Sequence, residues 1–182
     1  MIDRPVALIY GVALLVATIV LLHTKKIIMA LFAGFLSLCF GYVSLLLLQP
    51  SGHIMLVALA AIIAACDSAA YFVGRRVGGP KLWPQVSPSK TISGCIGGLV
   101  AAIGLTLALA DVIGLADQLD ALVLGLGLGI LAQAGDLLES AIKRRLNVKD
   151  SGSILPGHGG MLDRFDGYIL AIPAFYLYLF EI

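Results

Sequence analysis

Long apolar runs alternate with short polar segments along the whole chain. The apolar runs lie at roughly 6–22, 27–48, 54–73, 92–110, 121–138 and 167–180. Most of these runs are close in length to the roughly 20 residues that a helix needs to cross the hydrocarbon core of a membrane. The pattern therefore predicts about six membrane-spanning helices in one transmembrane domain over 1–182, with two N-terminal spans in 1–53 and a core region in 54–182.

Composition favours an all-α integral membrane protein. Hydrophobic residues make up 60% of the chain and charged residues 13%, whereas soluble domains carry about 25% charged residues. Twelve Lys and Arg against eleven Asp and Glu exclude a basic nucleic-acid surface and a long acidic tail. The cysteines at 39, 66 and 95 each stand alone in an apolar run, so we expect small buried side chains and no disulfide or zinc site.

Basic residues are concentrated in the odd-numbered loops. Eleven of the twelve Lys and Arg residues fall in loops 1, 3 and 5, with Arg4 as the exception, and the fourth loop carries three Asp. Lys and Arg near span ends are retained on the cytoplasmic side. We therefore expect a multi-pass protein of the inner (plasma) membrane, with a polar site on the cytoplasmic face and both termini outside.

Two pairs of glycines are spaced four residues apart within predicted spans. Gly94 and Gly98 lie in the fourth span, and Gly125 and Gly129 in the fifth. Small residues at this spacing let helix backbones approach closely in lipid. We interpret them as packing sites inside one bundle, with a homodimer seam as the alternative.

Two carboxylates lie in apolar runs, Asp67 in the third and Asp136 near the end of the fifth. A carboxylate at mid-membrane costs about 2.5–3.5 kcal/mol on insertion scales, so it usually faces a polar cavity and marks a site; contact with interfacial water is the plainer alternative. If the fifth helix continues past 138, Asp136, Glu139, Ser140 and Lys143 share one helix face. That arrangement would turn carboxylates, a hydroxyl and an ammonium toward one cavity.

A glycine-rich segment at 156–160 is followed at once by Asp163, Arg164 and Asp166. Glycines permit close approach of the backbone to a ligand, and successive N–H groups in such a turn bind anions. Two ionised carboxylates about 4 Å apart repel by roughly 4 kcal/mol at an effective dielectric of about 20. Converging Asp136 and Asp163 would thus need a proton or a cation, and Mg²⁺ prefers oxygen ligands together with substrate phosphates.

A second polar block precedes the fourth span and contains Ser87, Lys90 and Thr91. Hydroxyls, an ammonium and free N–H groups at a helix N-terminus suit a phosphate. The plainer alternative is a helix cap with a Lys that reaches to the interface. The nearby stretch 74–81 looks like a P-loop, but Pro80 stands where the Lys should be.

These blocks resemble the signature of the bacterial phosphatidate cytidylyltransferase (CDP-diacylglycerol synthase) family. The pattern S-x-x-K-R-x4-K-D-x-G-x-x-x-P-x-H-G-G-x-x-D-R-x-D is met from Ser140 to Asp166. Blocks at 67–75, 87–94 and 135–140 also look like those of the family, in its order. The resemblance covers about 66–182, and family members usually have more N-terminal spans than the two that precede residue 49 here.

The resemblance implies an enzyme that transfers the cytidylyl group from CTP to phosphatidate, forming CDP-diacylglycerol and pyrophosphate in phospholipid biosynthesis. It implies Mg²⁺, either as a single ion or together with a second cation, and a membrane lipid partner but no nucleic acid. The cation ligands it implies are Asp136, Asp163 and Asp166. The catalytic residues it implies are Asp136, Asp163, Lys143, Arg144, His158 and Arg164. The substrate and phosphate contacts it implies are Ser87, Lys90, Thr91, Ser140, Gly159 and Gly160.

Other readings of the same residues stay open. An ether-lipid cytidylyltransferase or a CTP-dependent polyprenol kinase would share the phosphate-handling parts. A non-enzymatic transporter or scaffold would use Asp67 and Asp136 to line a pathway. Residues 163–167 begin like the motif of CDP-alcohol phosphotransferases, but Leu170 and Ala171 stand where Ala and Arg should be.

Overall fold

Helices make up most of the structure, a computed structural model that describes residues 4–24, 27–145 and 166–181. Each predicted apolar run coincides with a helix, and a hairpin and one short helix are added. The elements in chain order are α1 (Arg4–Thr24), α2 (Ile27–Leu48), α3 (Gly52–Val77), β1 (Lys81–Trp83), β2 (Ser87–Thr91), α4 (Ile92–Ala108), α5 (Ala110–Ile113), α6 (Gln118–Arg145) and α7 (Asp166–Phe180).

The hairpin corrects the all-α prediction. After α3, Gly78 and Gly79 take positive φ values of 66° and 107°, which glycine adopts at no steric cost, and the chain turns into β1. Strands β1 and β2 pair antiparallel, with Lys81 opposite Thr91. The strands span only three and five residues, too few to show a clear period of two, so the sequence predicted only a polar loop here.

Among the residues that the structure describes, two helices are long and apolar enough to cross a membrane, α3 with 26 residues and α6 with 28. Four shorter apolar helical segments accompany them, Leu8–His23, Ala33–Leu48, Ile92–Ala108 and Asp166–Phe180. Outward-facing leucines are widely exposed, for example Leu22 at 74% and Leu48 at 80%. Large exposed apolar surface of this kind is typical of proteins whose helices contact lipid.

Glycine contacts join α4 to α3 on one side and to α6 on the other. A Cβ atom on Gly98 would lie 2.9 Å from the carbonyl oxygen of Cys66, and one on Gly125 would lie 2.8 Å from the Cα of Ile103. The prediction that these glycines pack helices within one bundle is thus confirmed. Their close contacts are made inside the chain, so they give no support to the homodimer alternative.

The core lies where α2, α3, α6 and α7 meet. Tyr42, Leu59, Ile62 and Phe175 are fully buried there. Gly135 of α6 lies against the backbone of Asp166 at the start of α7. This contact brings the C-terminal half of α6 to the same end of the bundle as the start of α7.

Candidate functional site

A cavity of about 730 Å³ opens at the end of the bundle that carries the hairpin. Its walls come from the C-terminal half of α3, the hairpin, the start of α4, the C-terminal half of α6 and the first residue of α7. Positive and negative side chains line it in equal number, namely Arg75, Lys81, Lys90, Asp67, Asp136 and Asp166. The cavity therefore gathers charges from segments that are up to 99 residues apart, from Asp67 to Asp166.

An ion pair between Lys90 and Asp136 connects the hairpin to α6 across this cavity. Both side chains are about a quarter exposed, at 27% and 28%. The hydroxyl of Ser140 donates a hydrogen bond of 3.4 Å to the other carboxylate oxygen of Asp136. Asp136 is thus held between an ammonium and a hydroxyl, and the ammonium of Lys90 remains within reach of the cavity.

Carboxylates repel one another inside the cavity. The negative charge of Asp136 acts on both Asp67 and Asp166. Asp166 stands one residue before the predicted span at 167–180, and its burial, together with the charge of Asp136, raises the pKa of its carboxyl to about 6. The N–H of Gly167 donates to the Asp166 carboxylate at 2.7 Å and partly offsets this effect. A cation in the cavity would relieve the repulsion.

Thr91 caps the N-terminus of helix α4. This is the helix-cap alternative given above for residues 87–91. Its hydroxyl oxygen accepts a hydrogen bond of 3.1 Å from the N–H of Gly94, and its side chain is buried. Thr91 and Lys90 line the cavity, whereas Ser87 is not among the lining residues and Ser89 is. The hairpin determines which hydroxyls of this block face the cavity. The hairpin was not predicted from the sequence.

The polar face of α6 is only partly turned toward the cavity. The helix continues to Arg145, and the Lys143 ammonium lies 2.5 Å from the carboxylate of Glu139. Of the four residues predicted to share a face, Asp136 alone lines the cavity. Lys143 is ion-paired along its own helix, because residues four apart are neighbours on a helix surface, and Arg144 is exposed near the helix end.

Part of the predicted site lies outside the described residues. This holds for His158, Gly159, Gly160, Asp163 and Arg164. Within residues 4–24, 27–145 and 166–181, no three His, Cys, Asp or Glu side chains converge closely enough to hold a metal ion. Asp67, Asp136 and Asp166 nevertheless offer carboxylate oxygens to one cavity, and oxygen is the donor that Mg²⁺ prefers.

Several lining residues were not singled out from the sequence, above all Gln133, whose side chain is only 8% exposed. Its amide nitrogen donates to the carbonyl oxygen of Cys95 at 3.2 Å and lies 3.7 Å from the sulfur of Cys66. The signal that could have found it is an amide within an apolar helix, since a buried amide needs a partner. Cys39 and Cys66 are buried as expected, but Cys95 is half-buried and lines the cavity.

The fold and the site define a helical, membrane-type protein with a cavity at one end that is lined by three cationic side chains and three carboxylates. The family model for the cytidylyltransferase family matches residues 3–181, and the chain belongs to this family. Phosphatidate cytidylyltransferase of Bacillus subtilis (strain 168) is 43% identical over 153 residues, 81% of this chain and 55% of that protein. Its namesake in Brucella suis biovar 1 is 46% identical over 149 residues, 80% of this chain and 55% of that protein.

A third relative carries no activity in its name. YnbB of Escherichia coli (strain K12), an uncharacterised protein, is 37% identical over 165 residues, 87% of this chain and 54% of that protein. The chain spans about half the length of the curated relatives it matches.

Proposed function

We propose that the chain forms the catalytic part of a phosphatidate cytidylyltransferase, which transfers the cytidylyl group of CTP to phosphatidate. The observation that carries the proposal is the cavity itself, in which Lys90, Arg75 and Lys81 face Asp136 and two further carboxylates at one end of an apolar bundle. A nucleotide from water and a phosphate on a lipid both have access to such a position. The names of the relatives in Bacillus and Brucella agree with it.

The transfer reaction requires that the two substrates are positioned and that developing charge is stabilised. An oxygen of the phosphatidate phosphate attacks the α-phosphorus of CTP, the bond from that phosphorus to the bridging oxygen breaks, and pyrophosphate leaves with the electron pair. The lipid phosphate is already an anion, so the step needs no general base. The site must hold two anions together and stabilise the charge that grows on the leaving group, a task for Lys90 and the other cations of the cavity.

We assign the cation site to Asp136, Asp163 and Asp166, with Mg²⁺ as the ion. The carboxylates of Asp136 and Asp166 line one cavity, and Asp163 lies outside the described residues. When bound, Mg²⁺ would neutralise phosphate oxygens and orient the leaving pyrophosphate. Lys143, Arg144, His158 and Arg164 remain in the proposal as phosphate contacts.

The proposed setting is the inner membrane, with six spans and the cavity facing the cytoplasm. The cavity lies at the end of the bundle that carries Arg75, Lys81 and Lys90, and basic residues are retained on the cytoplasmic side. The opposite end carries Asp120, whose backbone carbonyl accepts a hydrogen bond of 3.2 Å from the hydroxyl of Tyr178. Both termini then lie outside.

CTP labelled at one of two positions tests the activity. Purified full chain is supplied with phosphatidate, Mg²⁺ and CTP labelled either in the cytidine or at the γ-phosphate. We expect the cytidine label, and not the γ label, to enter the lipid fraction. Transfer of the γ label would identify a lipid kinase, and no consumption of CTP would favour a transporter or scaffold. An ether-lipid phosphate offered in competition separates the two cytidylyltransferase readings, because we expect phosphatidate to be used in preference.

A further inference from the structure

Exposed aromatic, aliphatic and basic side chains lie in the last two turns of α3 and on the hairpin, two of the elements that form the walls of the cavity. Tyr71 and Phe72 are each 59% exposed, Val77 is 70% exposed and Trp83 is 47% exposed. Large apolar side chains grouped in this way mark an interaction surface. We call this set of side chains the rim and define it by Tyr71, Phe72, Arg75, Val77, Lys81 and Trp83.

The hairpin is held next to the C-terminal end of α3 and the N-terminal end of α4. Lys81 pairs with Thr91, which is also the residue that caps α4. The N–H of Ile92 donates to the carbonyl oxygen of Pro80 at 3.0 Å. The strands are therefore anchored where the apolar helix α3 ends and the apolar helix α4 begins. In a membrane this point is the interface, where tryptophan and tyrosine are enriched.

Two cations of the rim also belong to the cavity. Arg75 and Lys81 line the cavity and are themselves exposed. The guanidinium of Arg75 donates a hydrogen bond of 2.8 Å to the hydroxyl of Tyr71, which orients it on the surface of α3. The rim thus places exposed aromatic rings on the same two elements as two positive charges that line the cavity. Anionic headgroups are attracted to basic residues placed next to the membrane surface.

We infer that the rim is the side from which an anionic lipid enters the cavity. Trp83 lies in the headgroup layer of the cytoplasmic leaflet, and Arg75 and Lys81 receive the phosphate of the lipid on its way toward Lys90. The choice of phosphatidate as this lipid rests on the proposed function. A free nucleotide phosphate would use the same cations, but it would reach them from water and would need no aromatic rings at the rim.

The position of the hairpin can be measured without any enzymatic assay, because Trp83 is the only tryptophan in the sequence. The full chain is reconstituted in phosphatidylcholine vesicles whose acyl chains carry bromine either close to the headgroup or close to the chain end. We expect Trp83 fluorescence to be quenched more strongly by the shallow bromines. Strong quenching by aqueous iodide, with no response to either brominated lipid, would overturn the inference.

The phosphate contact is tested by titrating phosphatidate into the same vesicles and following Trp83 emission. We expect the half-saturating mole fraction of phosphatidate to rise about tenfold in Arg75→Gln and in Lys81→Gln, as for the loss of a charged hydrogen bond. Arg76→Gln is the matched control, since Arg76 is exposed and does not line the cavity, and it should match the wild type.

Three outcomes of this titration would refute lipid entry at the rim. They are equal weakening in all three variants, no change in any of them, or a response to CTP in place of phosphatidate. None of these readouts depends on turnover, so a chain that fails the labelled-CTP assay can still confirm or refute the role of the rim.

Discussion

Lys90 and Asp136 come from segments 46 residues apart, and their side chains meet in the cavity. Each was singled out in the sequence for a different reason, Lys90 as a cation at a helix start and Asp136 as a carboxylate in an apolar run. The chemistry of a single residue can be predicted from the sequence because the cost of burying a charge is local. The pairing of Lys90 with Asp136 cannot, and neither can the role of Gln133, whose partner Cys95 lies on another helix.

Asp136→Asn tests the site at this scale. We expect turnover to fall by about 100-fold or more, since the amide removes a cation ligand and the partner of Lys90. Phosphatidate-dependent incorporation of cytidine label is the measurement, with protein level in the membrane checked in parallel. Asp163→Asn is expected to behave in the same way.

The matched control for Asp136 is Asp120→Asn, a carboxylate of the same helix at the far end of the bundle, where its side chain contacts Tyr178. This variant should retain activity. Near-normal turnover in Asp136→Asn would refute its assignment as a cation ligand.

Among the elements, α4 decides where the site is, because it packs against α3 on one side and α6 on the other. Gly98 of α4 lets it approach α3, and Gly125 of α6 lets that helix approach α4, so that Asp67 on α3 and Asp136 on α6 line the same cavity. The glycine spacing was visible in the sequence. The partner helix of each glycine was not, since a small residue permits close packing without selecting the partner.

A pair of glycine substitutions on α4 measures this packing. Gly98→Ala should lower the Tm of the detergent-solubilised protein, because the added Cβ would lie 2.9 Å from the backbone oxygen of Cys66, and overpacking costs about 1–3 kcal/mol. Gly104→Ala is the control on the same helix. No atom of a neighbouring residue lies within 4 Å of its added Cβ, so helix propensity should leave the Tm unchanged or higher.

Only Gly98→Ala is thus expected to lower the Tm. If Gly98→Ala left the Tm as high as Gly104→Ala does, the close approach of α3 and α4 would be wrong. The same measurement therefore tests the interface that places Asp67 beside Asp136.

The molecule as a whole combines an apolar outer surface with a cavity at one end that is lined by charged side chains. Exposed leucines such as Leu14, at 71%, cover the outward faces of the helices, and the charged cavity lies beside the hairpin. Helix α3 runs toward the hairpin and α4 runs back from it. The polar ends of the helices therefore lie at the two opposite ends of the bundle. This arrangement is what a bundle needs to cross a bilayer with its site in the water on one side.

Reporter fusions test the orientation of the bundle. A fusion after residue 182 should be read as non-cytoplasmic, and a reporter inserted at Gln85, in the turn of the hairpin, should be read as cytoplasmic, because basic residues hold the hairpin end inside. A cytoplasmic signal from residue 182, or the same signal from both positions, would contradict the six-span model.

The sequence by itself determined the helices and the chemical types of the site. Runs of about 20 apolar residues leave few alternatives to a helix in lipid, because every backbone polar group must then be satisfied within its own segment. The polar blocks and their resemblance to a known family pointed to phosphate chemistry in the same way, from residue type and spacing.

Only the tertiary structure decided which of these residues share a cavity. In it Arg75, Lys81 and Ser89 line the same cavity as Lys90, Ser87 is not among the lining residues, and the hairpin is added. The physical reason is that helix pairing and strand register depend on contacts between distant residues, which no local pattern encodes. The rim exists for the same reason, since α3 and the hairpin form one surface only after α4 has packed against α3.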